Sequence, residues 1–270
     1  HIDLIEVAFG QGSLKLYGGR LHSKKLQDLP LDVNTIVTPE HHQMIVDYCA
    51  NDHETTRDLF LHLKPQIELR ERMSLSYGID LRSKSDAQIA EAVIRKEVSK
   101  ALGYRLEKPN IPPGTIFRYT APDWVKFDTP DLQRKLAAIE SADFVTDKNG
   151  SPHEPPALSD AEIGIGKGVY RMGIGGLHSS EANIAHWASD EIELMDSDVA
   201  SYYPFLIVTC KFAPAHIRDA FLKVYTGIVE RRIAAKRAKD SVVADSLKLV
   251  LNSSFGKFGN FWSYIYAPDL

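Results

Sequence analysis

The strongest constraint on the fold lies toward the C-terminal end, where two stretches of helical pattern, 215–239 and 241–254, meet at Lys239-Asp240 with no room for a linker. So short a junction sends the second helix back along the first, which predicts an antiparallel helical hairpin. The region is basic: over 215–260, nine Lys and Arg stand against four Asp and Glu. Just upstream the balance reverses, with nine acidic residues against Lys167 and Arg171 over 151–200. A stretch suited to hard cations thus adjoins one suited to phosphate. With a net charge of -4 for the whole chain, any surface for nucleic acid must be local.

Upstream, Met44, Ile45, Tyr48, Cys49, Leu59, Phe60 and Leu63 recur at helical spacing and predict a helix over 40–64, interrupted at Pro65. Ser85 and Gln88 have capping-box spacing before Ile89, Ala90, Val93, Ile94 and Val98, and Gly103 marks the stop. Prolines and glycines crowd 108–156, which reads as a connector with short strands such as 115–119. A glycine-rich stretch, 164–176, follows, and 193–198 alternates like a strand closed by Tyr203-Pro204. The expected class is α+β. A length of 270 residues, 44% of them hydrophobic and 25% charged, suits two globular domains and names no function. The longest apolar run, 202–210, is far below the about 20 residues of a membrane span. Two cysteines, Cys49 and Cys210, are too few for a disulfide framework or a zinc site, as expected of a cytoplasmic protein. The start at His1 reads as a fragment or a processed piece.

Two motifs carry chemistry. In Asp198-Val-Ala-Ser-Tyr-Tyr-Pro204 a carboxylate stands at a strand end before a turn, where it can hold Mg²⁺; equally, it can cap the turn. In Lys248-Leu-Val-Leu-Asn-Ser-Ser-Phe-Gly256, residues 248, 252 and 255 share one helical face and present a cation, an amide and a ring to a triphosphate and a base. An amphipathic helix ended by Gly256 is the plain alternative.

Together, and in this order, the two resemble the DxxSLYPS and KxxxNSxYG motifs of family B DNA polymerases, with Tyr202, Phe205 and Phe255 departing from the pattern. The resemblance implies that Asp198 and the Val199 carbonyl bind the catalytic Mg²⁺ ions and that Tyr203 excludes a 2′-hydroxyl. It further implies that Ser201, Arg232, Lys236, Lys248 and Asn252 help hold the incoming dNTP. Tyr48-Cys-Ala-Asn-Asp52 is similar to the YxxxD motif of the family's 3′–5′ proofreading exonuclease, which makes Tyr48 catalytic and Asp52 a catalytic metal ligand. Tyr170, Gly175 and Gly176 stand where the family's YxGG/A segment meets template DNA, although those glycines equally suit close packing.

The implied layout is the end of a ribonuclease H-like exonuclease domain over 1–64, a connector over 65–165, and the exonuclease–polymerase link with an incomplete palm over 166–214. A two-helix antiparallel fingers hairpin over 215–255 and a return toward the palm over 256–270 complete it. The implied partners are primer-template DNA and dNTP, with no membrane, in the cytoplasm of a bacterial or phage-infected cell; an oligomer is not implied. The wording SKSDAQIAE and GGLHS looks like phage or prophage replication enzymes, while the short interval from Asp198 to Lys248 disfavours protein priming. The family's YxDTD motif and its first two exonuclease motifs do not occur in these residues, so the 270-residue chain is expected to have neither activity alone. The alternatives are a non-catalytic nucleic-acid-binding remnant or split polymerase subunit, and an unrelated nucleotidyltransferase. A strand bearing Asp198 in an antiparallel sheet, with the 215–255 helices standing off it as a hairpin, would support the polymerase reading and reject the last.

Overall fold

The computed structural model describes residues 1–10, 12–166 and 168–270; Lys167, in the glycine-rich stretch, lies outside the described residues. Helices and two small antiparallel sheets make up an α+β chain. Its contacts divide into two compact units, His1–Val93 with Arg231–Val250 and Ile94–Glu230 with Leu251–Leu270. Among the described residues no helix is long and apolar enough to cross a membrane.

In the first unit, α1 (Leu4–Val7) and α2 (Leu14–Arg20) pack on the long α3 (His42–Tyr77). Val7 and Tyr17 meet Leu59, Leu63 and Ile67 in a buried cluster. The inward stripe of α3 continues through Arg70 and Met73 at spacings of three and four residues. Pro65, expected to interrupt this helix, lies inside it. Proline in a helix interior costs about 3 kcal/mol, and burial of one aliphatic side chain returns about 1.5–3 kcal/mol. Pro65 faces solvent while Leu63 and Ile67 beside it are buried, so packing outweighs the local penalty.

Gly78, in the left-handed region at φ 59°, ends α3. The capping box then forms as expected: Ser85 N–H donates to Gln88 Oε1 and Gln88 N–H to Ser85 Oγ. Helix α4 (Asp86–Leu102) follows and stops at Gly103, φ 78°. Arg70, only 2% exposed, ties the two helices together. Its guanidinium donates to the Lys84 carbonyl at 3.0 Å, the Gln66 carbonyl at 3.2 Å and the Asp86 carboxylate at 2.6 Å. A buried cation so fully satisfied fixes where the chain turns from α3 into α4.

In the second unit, β1 (Ile116–Phe117), α5 (Pro130–Ser141), β2 (Phe144–Thr146) and β3 (Pro152–His153) form a small antiparallel meander with its helix. The strand expected over 115–119 is thus confined to two residues. Helix α6 (Pro156–Ser159) leads to a second meander, β4 (Glu162–Ile165), β5 (Gly168–Gly173) and β6 (Gly176–Ser179). Ile139, Phe144 and Leu158 are buried together, with Phe117 and Met172 against them, so both sheets contribute to one core.

No strand forms over 193–198 among the described residues, so Asp198 is not carried on a strand; every residue of 174–200 is exposed, and after β6 the backbone pairs only in the bridge between Ser189 and Ile192. Alternation alone does not make a strand, because its N–H and C=O groups need a paired neighbour. Nor does Tyr203-Pro204 close a strand. These residues open α7 (Tyr202–Cys210), with Pro204 in the first turn where its missing N–H is not needed.

A turn of 3₁₀ helix (Ala215–Ile217) precedes α8 (Arg218–Arg237), which reverses into α9 (Ser241–Ser254). Lys239 turns at φ 58°, Asp240 N–H donates to the Ala235 carbonyl at 2.9 Å, and Asp240 Oδ1 accepts from Val243 N–H. The helices run back along each other: Tyr225 Oη donates to the Leu251 carbonyl at 3.2 Å, and Ser254 Oγ donates to Tyr225 Oη at 3.3 Å. The expected hairpin is therefore present.

Burial pushes the Tyr225 phenol up to about 12, with the Ser254 bond opposing the shift. The folded chain then holds this proton more tightly than the unfolded one. The stability it confers is complete below about pH 10 and declines as the pH rises toward about 12. Tyr225→Phe is expected to remove this part of the alkaline loss and to cost about 1 kcal/mol at neutral pH for the missing hydrogen bond. Urea unfolding of both proteins at neutral and alkaline pH measures it.

Candidate nucleotide site

Within the second unit, the residues of the two polymerase-like motifs meet through their rings. Tyr203, at the start of α7, stacks on Phe255, which follows α9, with centroids 4.2 Å apart and planes 21° from parallel. The contact is anchored inward. Phe255 meets Phe258 at 6.2 Å, Phe258 meets Phe221 at 5.6 Å, and Phe221 stacks on Tyr225 at 5.3 Å. Exposure falls along this run from 38% at Tyr203 to 0% at Phe221 and Tyr225. Offset and edge-on pairs of this kind add about 0.5–1.5 kcal/mol each beyond burial. Tyr203 is thereby held at the surface by a column of rings rooted in the core.

The backbone leading to Tyr203 is specialised. Ser201 adopts φ 56°, a left-handed conformation uncommon for a residue with a side chain, and its carbonyl accepts the N–H of Phe205. This turn swings the chain from the exposed Asp198 and Val199 into α7. Asp198 and the Val199 carbonyl offer two oxygens to a hard cation. Among the described residues no three His, Cys, Asp or Glu side chains gather into a fuller set. Magnesium is commonly held by one or two carboxylates together with substrate phosphates, and Asp198 is the one carboxylate here that could take that part.

On α9, Lys248 and Asn252 lie one turn apart and both are exposed, while Leu247, Val250 and Leu251 are buried. The exposed face carries the cation and the amide, as the spacing required. Arg232 and Lys236 are also one turn apart, yet they differ in burial: Lys236 is exposed and Arg232 is 8% exposed. Shared helical spacing did not give them a shared environment. Arg232 falls at the edge of the helix's inward side, with Ala235 buried nearby.

In the first unit, Tyr48 and Asp52 lie one turn apart on α3, near enough to interact as the YxxxD spacing allows. The hydrogen bond to Asp52 raises the Tyr48 phenol above its ordinary value, with desolvation and the Asp52 charge adding to the shift. Two residues that sequence spacing did not indicate stand beside them. Lys15 places its ammonium 5.9 Å from the Tyr48 ring centroid and pairs with Asp28 at 2.5 Å. Nothing local in the sequence announces this contact, since Lys15 belongs to α2 and Tyr48 to α3.

Tyr170 lies within β5, paired with Ile163 and Ser179; Ile174 and Gly175 form the turn, and Gly176 opens β6 opposite Gly173. At the neighbouring Gly173 a Cβ would come within 2.9 Å of Glu154 Oε1, which accepts the N–H of Ile174, so the Glu154 side chain would have to shift. Gly175 has open space around it.

No family model, curated protein or solved structure matches the chain, so the reading of these sites rests on their own residues.

Asp52→Ala is expected to lower the Tyr48 pKa toward its ordinary value near 10. Titration of ¹³Cζ-labelled tyrosine by NMR, with Tyr48→Phe assigning the resonance, measures it. An unchanged Tyr48 titration would show that the two side chains do not interact.

Proposed function

We propose that the chain is part of a family B DNA polymerase, spanning the end of its proofreading exonuclease domain, a connector, part of the palm and the fingers hairpin. The observation that carries this reading is the stack of Tyr203 on Phe255, which joins the two motifs whose order first suggested it. The hairpin of α8 and α9, with Lys248 and Asn252 outward, supports it further. The finer fold assignments, a ribonuclease H-like segment over 1–64 and a palm segment within 166–214, belong to the same proposal.

In this reading the Tyr203 ring meets the sugar of the incoming dNTP and leaves no volume for a 2′-hydroxyl, because Phe255 backs it and prevents retreat. Lys248 neutralises the triphosphate and Asn252 lines the pocket, with Lys236, Arg232 and Ser201 assisting. Bound Mg²⁺ supplies Lewis-acid stabilisation of the phosphoryl transfer, and Asp198 with the Val199 carbonyl provides protein oxygens to hold it. Tyr48 and Asp52 belong to the proofreading site, while Tyr170, Gly175 and Gly176 meet the template. Primer-template DNA and dNTP are the partners, in the cytoplasm of a bacterial or phage-infected cell.

The alternative is a non-catalytic nucleic-acid-binding remnant or split subunit. Primer extension by the polypeptide encoded by the whole reading frame around these residues separates the two. Templated incorporation is expected, with Asp198→Asn lowering it by about 10³-fold. DNA binding without incorporation would favour the alternative, and undiminished incorporation by the Asp198→Asn protein would overturn the assignment of Asp198.

A further inference from the structure

The segment after α9 builds a second aromatic surface, made wholly within the second unit. Ser263, Ile265, Tyr266 and Ala267 are buried there, at 0, 1, 1 and 3% exposure. Tyr266 Oη donates to the Gly150 carbonyl, and Ala267 N–H donates to the Phe258 carbonyl. These contacts fix the segment and leave Trp262 outward, 71% exposed. The backbone N–H of Trp262 donates to Asn260 Oδ1 at 2.9 Å, and the Phe261 ring meets the indole edge-on at 5.2 Å. An exposed indole is thereby held in one place.

One cation lies against the indole and a second over the nearby Tyr264 ring. The Arg95 guanidinium lies 3.6 Å from the Tyr264 ring centroid, while the Lys108 ammonium lies 5.0 Å from the Trp262 centroid and 5.6 Å from that of Tyr264. The Tyr264 backbone is fixed as well, its carbonyl accepting from His216 Nε2 at 3.1 Å. Lys108 is carried on a segment fastened to α4 by the bond from Leu106 N–H to Ser99 Oγ. Among the described residues neither Arg95 nor Lys108 takes part in an ion pair. Two positive charges and a rigid, exposed ring therefore share one patch.

We propose that this patch binds single-stranded nucleic acid, with a base stacked on Trp262 and neighbouring phosphates on Lys108 and Arg95. A single strand presents unstacked planar bases joined by anionic linkers, which matches the alternation of ring and cation here. A duplex hides its base faces, and an apolar peptide offers nothing to the two cations. Lys108 is exposed, so its flexible stem can move the ammonium from the ring faces to a phosphate as the base arrives.

The test is equilibrium binding of a fluorescent oligothymidylate of about 12 nucleotides to the full 270-residue chain, followed by anisotropy with no divalent metal and no dNTP. The expected result is saturable binding that exceeds binding to a duplex of the same length. Trp262→Ala should weaken it about tenfold, Trp262→Phe should restore most of the loss, and Lys108→Ala should reduce the salt slope of log K by about 0.7. Absence of binding, unchanged affinity in Trp262→Ala, or duplex preference indifferent to Trp262 would overturn the proposal. Circular dichroism checks the fold of each variant; if Trp262→Ala fails to fold, Lys108→Glu at the exposed neighbouring position decides by the same assay. Because nothing need be incorporated, failed primer extension would leave this site standing, and failed binding would leave the polymerase reading standing.

Discussion

A column of aromatic rings organises the second unit. Phe221 and Tyr225 lie fully buried on α8, Phe258 crosses Phe221, and Phe255 carries the run outward to Tyr203. Each ring limits the freedom of the next, so the position of Tyr203 at the surface depends on packing in the core. The Ser254 and Leu251 bonds to Tyr225 connect the same column to the last turns of α9. A tyrosine mounted in this way is held by its neighbours as well as by its own rotamer preference, as the steric role proposed for it would require.

The first unit depends on a different device. One 36-residue helix passes through a proline because its inward stripe is continuous, and at its end a buried arginine specifies where the next helix starts. The Tyr48 and Asp52 pair lies on this same helix, so its geometry is inherited from a rigid element rather than a loop. Lys15 and Asp28, brought by α2 and the following segment, add charge beside it.

What could be read from the sequence was local. The junction of α8 and α9, the Ser85 and Gln88 cap and the stop at Gly103 are decided by neighbouring residues, and all of them are present. What could not be read depended on distant partners. Pro65 does not end its helix because Leu63 and Ile67 find a core, and 193–198 does not form a strand because no neighbouring strand completes its ladder. Helical spacing put Arg232 and Lys236 on one face but could not reveal that only Lys236 reaches solvent. The motif residues at the candidate site were visible one by one; their meeting through Tyr203 and Phe255 was not, since spacing says nothing about which rings touch.

The central claim is that Tyr203 and Phe255 are energetically joined. A double-mutant cycle with Tyr203→Ala, Phe255→Ala and the double variant, measured by urea unfolding of the 270-residue chain, tests it most directly. The stacked geometry predicts a favourable coupling of about 1 kcal/mol between the two rings. Strictly additive losses would contradict it and would separate the two motifs that the account brings together.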